Sequence, residues 1–282
     1  METTLSNGST ELRIRPDGPL TIIGEKINPT GRKKLAAAIE ACNYESIVEL
    51  AKRQVEAGAD VLDINVGVPG IDEPAVMPEV VRVVSDATDV PLCLDSANAA
   101  ALAAALAITP GKPLVNSVNG EERSLESILP LIKEHGAAVI GLTMDDDGIP
   151  DSADGRLAIA ERIIERCAKM GIPVEDIIID PLVLTVGADH NAGRVTLETI
   201  ERLAKEFGVN INLGASNVSF GLPERDVINA AFLALAAARG ASCMITDPIK
   251  HSLTIRAIDL LLGRDAYAGR YIKQYRTLQP EK

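Results

Sequence analysis

The chain has 282 residues, of which 46% are hydrophobic and only 2% aromatic, and its formal net charge is -12. This charge argues against a nucleic-acid or anionic-membrane partner, because both bind basic surfaces, and scarce aromatics leave few platforms for stacking bases. No apolar stretch is long enough and free enough of charge to span a bilayer. The length suits one large α/β domain with a core of Ala, Val, Ile and Leu.

Residues 1–18 are polar and are predicted to form a loose lead-in, so that residues 19–282 make up one folded domain. The four cysteines are scattered without a close pair. With no signal peptide in view, this spacing predicts reduced thiols and a cytoplasmic location. No paired Cys or Cys/His cluster is present for zinc, so no metal site is predicted.

Strand and helix signals alternate eight times after the lead-in. Short apolar runs predict buried parallel strands near residues 20–27, 60–66, 91–95, 113–117, 138–144, 176–181, 210–216 and 242–246. Helical patterns such as 44–57 and 157–170 are followed by glycine, which supplies the left-handed residue favoured after a helix C-terminus. Eight such units predict a single (β/α)8 TIM barrel, with an open doubly wound sheet as the alternative.

Seven of the predicted strands end on an acid or an amide. These residues are Asn28, Asp63 with Asn65, Asp95, Asn116, Asp180, Asn217 and Asp247. The carboxyl ends of parallel strands meet on one face, so we expect the side chains to converge there. In an open sheet, residues from only a few strand ends bind the ligand. Polar residues at nearly every strand end therefore favour the closed barrel. A ring of Asp and Asn, with almost no His or Lys, suits a neutral nitrogen-rich ring better than a phosphate.

Three of these residues define a hydrogen-bonding pattern. Asp95 and Asp180 provide carboxylates that accept from ring N–H and amino groups, and Asn116 provides an amide that both donates and accepts. A 2-amino-4-oxo pyrimidine ring presents the complementary edge. The structural alternative is that such acids cap the following helices, as Asp95 before Ser96 could do.

The segment 213–225 begins within the seventh predicted strand, continues past its end and contains Asn217. Its small residues leave room for close approach of a ligand, and Asn217 is expected to project into the barrel mouth. The alternative is an ordinary strand–loop–helix joint with Glu224 near the start of the helix, although such joints are usually shorter.

Five segments in order carry a resemblance to a known family. They are Gly24-Glu25-Lys26-Ile27-Asn28-Pro29-Thr30-Gly31, Leu62-Asp63-Ile64-Asn65-Val66-Gly67, Cys93-Leu94-Asp95-Ser96, Asn116-Ser117-Val118-Asn119-Gly120-Glu121 and the Asn217 loop. Together they resemble the pterin-binding barrels that move methyl groups between methyltetrahydrofolate and a corrinoid. The chain is similar both to stand-alone methyltetrahydrofolate:corrinoid-protein methyltransferases and to the folate domain of cobalamin-dependent methionine synthase.

The resemblance assigns site residues position by position. The positions that match substrate-binding residues of the pterin pocket are Asp95, Asn116, Asp180, Asp63, Asn65 and Arg225. Asn217 matches the catalytic amide beside N5, the nitrogen that carries the methyl group. One position departs from part of the family: Phe220 stands where the acetogenic corrinoid/iron–sulfur enzymes carry Gln, which leaves the identity of the corrinoid partner open.

The resemblance also implies a reaction and its partners. Cob(I)alamin on a separate corrinoid protein would attack the N5-methyl group of 5-methyltetrahydrofolate, or the reverse transfer would regenerate it from tetrahydrofolate. That protein would dock over the barrel mouth, and a homodimer is expected. Two alternatives stay open: a non-catalytic pterin-binding subunit, and an enzyme like dihydropteroate synthase. The latter carries a Thr-x-Asp-Ser-Phe run after its first-strand Asn, whereas Asn28 is followed here by 29–33, Pro-Thr-Gly-Arg-Lys.

Overall fold

The computed structural model describes residues 1–279. Its strands are β1 Thr3–Ser6, β2 Glu11–Ile14, β3 Thr21–Ile27, β4 Val61–Ile64, β5 Leu92–Asp95, β6 Leu114–Asn119, β7 Ala138–Leu142, β8 Ile177–Asp180, β9 Asn210–Ile211 and β10 Cys243–Thr246. Its α-helices are α1 Lys33–Glu40, α2 Glu45–Glu56, α3 Glu73–Ala87, α4 Ala99–Leu106, α5 Glu122–His135, α6 Ala153–Met170, α7 Ala192–Glu206, α8 Arg225–Arg239, α9 Pro248–Leu261 and α10 Gly269–Thr277. Within this range no helix combines the length and apolarity needed to cross a membrane.

The predicted barrel is confirmed. Strands β3 to β10 form one parallel sheet of eight strands in the order β10-β3-β4-β5-β6-β7-β8-β9. Backbone bonds join its two ends, from Ser242 N to Ile211 O (3.0 Å) and from Ile245 N to Leu213 O (2.8 Å). Each strand lies close to its predicted position because the short apolar runs are buried on both faces, between the barrel interior and the surrounding helices.

The connections obey simple local rules. Asn98 caps α4 by accepting from the backbone N–H groups of Ala100 and Ala101, and Asp247 caps α9 in the same way through Ile249 N. Gly136 and Gly171 end α5 and α6 at φ 62° and 72°, in the left-handed region that glycine enters without strain. These short turns bring the carboxyl ends of all eight strands to one face of the barrel.

The expectation of a loose lead-in is wrong for residues 3–14. Strands β1 and β2 form an antiparallel hairpin, pairing Thr3 with Ile14 and Ser6 with Glu11. Leu5 and Ile14 on this hairpin are fully buried and belong to the same apolar cluster as the interior residues of the barrel, such as Ile23. The hairpin therefore closes the amino-terminal end of the barrel. Its Thr3 is also buried, whereas polar residues such as Glu11 and Arg13 face solvent.

Candidate active site

A cavity of about 370 Å³ opens at the carboxyl ends of the barrel strands. Five of the predicted site residues line it: Asp63, Asp95, Asn116, Asp180 and Asn217. They come from five different strand ends or the turns that follow them, as expected for a barrel whose ligand binds at its mouth. The prediction that these distant residues converge is correct.

Asp63, which is buried, and Asp95, which is partly buried, form a pair of acids on one wall. Asn116 Nδ2 donates to Asp63 Oδ1 (3.2 Å), and Asn65 Nδ2 donates to Asp95 Oδ2 (3.0 Å). Burial raises the pKa of Asp63 well above its usual range, and the Asp95 charge raises it further. Burial also raises the pKa of Asp95 to about 6. Two carboxyls so close together favour sharing one proton, which gives this wall both a donor and an acceptor.

Asp180 is held on the opposite wall by a network of donors. Leu182 N and Asn212 Nδ2 each donate to one of its carboxyl oxygens at 2.8 Å. The fully buried Arg156 fixes the next turn by donating to the carbonyls of Pro181 (3.0 Å) and Leu182 (2.8 Å). Burial raises the pKa of Asp180 to about 6 despite these bonds. The Asp180 carboxyl is therefore pre-positioned to accept hydrogen bonds from a ligand.

Asn217 lies in a 3-10 turn, Ala215–Ser219, which we call the Asn217 turn. Its side chain is exposed to the mouth, and its amide has no hydrogen-bond partner among residues 1–279. A Cβ at Gly214 would lie 3.1 Å from Asn217 Nδ2, so a larger residue there would crowd the amide. The amide is thus free to turn toward a ligand in the cavity.

Two predicted site residues stand behind the cavity wall instead of lining it. Asn65 orients Asp95 through the bond described above. Arg225 supports the Asn217 turn, donating from Nη2 to Ser216 O (2.7 Å) and from Nε to Ser219 Oγ (3.1 Å), with its guanidinium 5.8 Å from the ring centroid of Phe220. Their assignment to substrate binding stays a prediction, and their contacts describe support for the residues that line the cavity.

Several lining residues were not singled out from the sequence. They include Glu25, Lys26, Thr30, Arg32 and Ser216. Ser216 Oγ lies 3.0 Å from both carboxyl oxygens of Glu25, although the two residues are 191 positions apart. The signal that could have found Glu25 is its place in β3, the first strand of the barrel, in a segment that already pointed to the family. Nothing local marks Ser216 as the partner of Glu25.

We expect Asp95→Asn to stabilise the ligand-free protein by about 1–2 kcal/mol at pH 8. The pKa of Asp95 in the folded protein is raised from 3.8 to about 6, so the ionised carboxylate destabilises the folded protein above pH 6. This destabilisation disappears as the pH falls toward 3.8, the pKa expected in the unfolded chain. The Asn amide can still accept from Asn65 and can donate toward Asp63. Urea unfolding at pH 8 and pH 4 measures the difference, with the exposed Asp146→Asn as control. A stabilisation independent of pH would contradict the assignment.

A polar cavity lined by carboxyls and amides, at the carboxyl end of a closed eight-stranded barrel, defines a barrel protein with a ligand site at its mouth. Comparison with known proteins gives the family. The chain belongs to the family described as pterin binding enzyme, which it matches over residues 24–247. This result confirms the resemblance carried by the five sequence segments.

Two kinds of relatives are similar along the sequence. The chain is 30% identical over 265 residues to the methylcorrinoid:tetrahydrofolate methyltransferase of Eubacterium limosum, covering 91% of this chain and 96% of that protein. It is 34% identical over 245 residues to the methionine synthase of Mycobacterium tuberculosis, covering 82% of this chain. The matched region spans only 21% of that methionine synthase.

Solved structures with the same fold include dihydropteroate synthases. A complex from Yersinia pestis with a pterine–sulfa conjugate has a TM-score of 0.73 at 21% identity, covering 93% of this chain and 99% of that one. The enzyme from Xanthomonas albilineans with 7,8-dihydropteroate has a TM-score of 0.70 at 24% identity, covering 93% and 98%. At these identities the likeness establishes the fold alone.

Proposed function

We propose that this protein is a methyltransferase that moves a methyl group between N5 of tetrahydrofolate and the cobalt of a separate corrinoid protein. The observation that carries the proposal is the unpartnered Asn217 amide at the mouth of a cavity whose walls hold Asp95, Asn116 and Asp180. The similarity to a methylcorrinoid:tetrahydrofolate methyltransferase along 91% of the chain supports it.

The walls of the cavity suit the pyrimidine edge of a pterin. Asp180 accepts from ring N–H and amino groups, while Asn116 presents an amide with both a donor and an acceptor. The Asp63–Asp95 pair adds a carboxyl that can share its proton with a ring oxygen or nitrogen. These contacts bind and orient the ring but do not touch the reacting bond.

Asn217 acts at the reacting nitrogen. A tertiary amine is a poor leaving group, so N5 must gain a proton or a strong hydrogen bond as its methyl group departs. The Asn217 amide can rotate to donate to N5 as its lone pair develops, which stabilises the transition state more than the ground state. The corrinoid protein docks over the mouth, where cobalt can reach the methyl carbon in line. Cobalamin thus comes as the partner's cargo and tetrahydrofolate as the substrate.

The similarity in fold to dihydropteroate synthase provides the alternative enzyme. Making dihydropteroate releases a diphosphate, and binding its negative charge requires Lys or Arg side chains that are not already paired. Lys26 and Arg32 are the cationic side chains that line the cavity within residues 1–279. Lys26 Nζ is paired with Asp247 Oδ2 at 2.8 Å, and Arg32 donates to the carbonyl of Lys26. Lys26 is therefore neutralised and, within the same residues, Arg32 alone keeps an unpaired charge, which is little for a diphosphate, so we favour methyl transfer.

The test is a reconstituted reaction. Purified protein, a methylated corrinoid protein and tetrahydrofolate are mixed, and the visible spectrum is followed for conversion of methyl-cobalt to cob(I). We expect conversion that depends on both the protein and tetrahydrofolate. A parallel mixture with dihydropterin diphosphate and p-aminobenzoate should yield no dihydropteroate. Tetrahydrofolate binding without methyl transfer would instead identify a non-catalytic subunit. The homodimer and the cytoplasmic location remain predictions.

Arg225→Ala is expected to lower the methyl-transfer rate at saturating tetrahydrofolate by up to about 30-fold, because the Asn217 turn loses two hydrogen bonds worth about 1 kcal/mol each. Arg225→Lys should recover little, since a single ammonium cannot replace a fork that bonds Ser216 and Ser219 at once. Single-turnover kinetics measure the effect. A Lys variant as fast as the unmodified protein would show that charge alone matters at this position.

A further inference from the structure

The carboxyl of Glu25 is tied to the reacting end of the cavity. Four acids line the cavity: Glu25, Asp63, Asp95 and Asp180. Of these, Glu25 is hydrogen-bonded to the Asn217 turn, with Ser216 Oγ 3.0 Å from each of its two oxygens. Ser216 directly precedes Asn217 and also lines the cavity. The Glu25–Ser216 pair therefore lies next to the Asn217 amide, which is assigned to N5. The other three acids are assigned to the pyrimidine edge of the pterin, away from N5.

A smaller cavity of about 150 Å³ lies on the other side of this pair. Glu25, Lys26 and Ser216 line both cavities, so they form the wall between them. The other charged or titratable groups that line the small cavity are Arg225 and Asp226 on α8, Asp247 at the start of α9, and Lys250 and His251 on α9. Their polar side chains can hold water, which gives Glu25 a route to exchange protons with solvent.

The other candidate donors on this side are already engaged. Lys26 is paired with Asp247 at 2.8 Å, and Lys250 is paired with the exposed Asp226 at 3.0 Å. His251 is buried, and burial lowers its pKa, so it is neutral near pH 7. Arg225 is held by Ser216 and Ser219 and does not release a proton.

We propose that Glu25, through the Ser216 hydroxyl, is the acid–base group that exchanges the N5 proton during methyl transfer. The inference rests on the proposed function. When the methyl group goes to tetrahydrofolate, the N5 lone pair forms the N–C bond and the C–Co bond electrons stay on cobalt as cob(I). The N5 proton passes to Ser216 Oγ, whose own proton passes to the Glu25 carboxylate. In the opposite direction protonated Glu25 returns a proton to N5 along the same path.

The environment of Glu25 suits this exchange. Burial raises its pKa above the usual value, and the nearby Asp247 raises it further, whereas the Ser216 bond, Lys26 and Arg225 lower it. A raised pKa brings a carboxyl closer to the working pH, where an acid–base group is most effective. Transfer to tetrahydrofolate needs ionised Glu25, so its rate rises as pH rises through this pKa. Transfer from methyltetrahydrofolate needs the protonated form, so its rate falls over the same range.

The experiment compares single-turnover methyl transfer to tetrahydrofolate across pH for the unmodified protein, Glu25→Gln and Ser216→Ala. Tetrahydrofolate is kept saturating, so that protonation of Asp95 and Asp180 does not affect occupancy. We expect both variants to slow transfer about 10²-fold and to lose the rising limb of the pH profile. Equilibrium binding of tetrahydrofolate should change little. Asp146→Asn removes an exposed carboxylate outside both cavities and should behave like the unmodified protein.

The outcomes separate this inference from the proposed function. If the unmodified protein transfers methyl groups and both variants keep its rate and its pH limb, Glu25 does not exchange the proton. If Glu25→Gln does not fold, Ser216→Ala tests the inference by itself, because it keeps the Glu25 carboxyl and removes only the hydroxyl that connects it to N5. If the unmodified protein transfers no methyl group, the proposed function itself fails.

Discussion

Replacing Asn217 with Ala should slow methyl transfer by about 10²–10³-fold at saturating folate, the usual cost of losing one donor that acts in the transition state. The amide has no other hydrogen-bond partner within residues 1–279, so its removal leaves the turn intact and takes away only the donor to N5. Tetrahydrofolate should bind with nearly unchanged affinity. Single-turnover transfer and equilibrium binding, measured separately, check the two parts.

Asp180→Ala provides the contrast. This change removes an acceptor for the far edge of the ring and leaves Asn212 and Leu182 N without their partner, so we expect weaker binding and a smaller loss of rate once folate is saturating. Asn191→Ala, outside the cavity, is a control for loss of an amide that, among residues 1–279, bonds only the nearby His190 and Arg194. Equal slowing by Asn217→Ala and Asp180→Ala at saturation would refute the special role of Asn217.

Leu5→Ala and Ile14→Ala should each lower the free energy of unfolding by about 2–5 kcal/mol, the range for truncating fully buried aliphatic side chains. Both residues are completely buried where the amino-terminal hairpin meets the barrel interior. Urea unfolding followed by far-UV circular dichroism measures the loss. Since the cavity lies at the opposite end of the barrel, tetrahydrofolate binding to the folded variants should be unchanged.

The control for this effect is Ile108→Ala, at a side chain that is 47% exposed. Substitutions at such surface positions usually change stability by about 0.5 kcal/mol or less. If Leu5→Ala costs no more than Ile108→Ala, the hairpin does not contribute to the barrel core, and residues 1–18 act as the loose lead-in that their polarity suggests.

The barrel could be predicted because its strands carry their own signal. Runs such as Ile177–Ile179 are apolar on both faces and are found as buried parallel strands. The hairpin could not be predicted in this way. Thr3–Ser6 and Glu11–Ile14 are short and contain only two fully buried apolar residues, Leu5 and Ile14. Their mostly polar composition therefore hides a pair of strands whose burial depends on the rest of the barrel.

The site, like the fold, has features that the sequence predicts and features that it does not. Asp63, Asp95 and Asp180 could be placed in one cavity because strand topology alone brings strand ends together. Which residues line the cavity and which stand behind it depends on side-chain direction. Neither the supporting position of Arg225 nor the contact between Glu25 and Ser216 follows from spacing, because each depends on the path of the turn after β9.

The hairpin at the amino-terminal end also constrains the order of events. Since side chains such as Ile23 and Ile140 fill the barrel interior and Leu5 and Ile14 cover its amino-terminal end, a bound folate can enter and leave only past the rim that the corrinoid protein would cover. Under the proposed function, folate must load before the two proteins associate, and each round must finish with their separation. Each turnover should then include dissociation of the two proteins, and excess corrinoid protein should inhibit by trapping product inside.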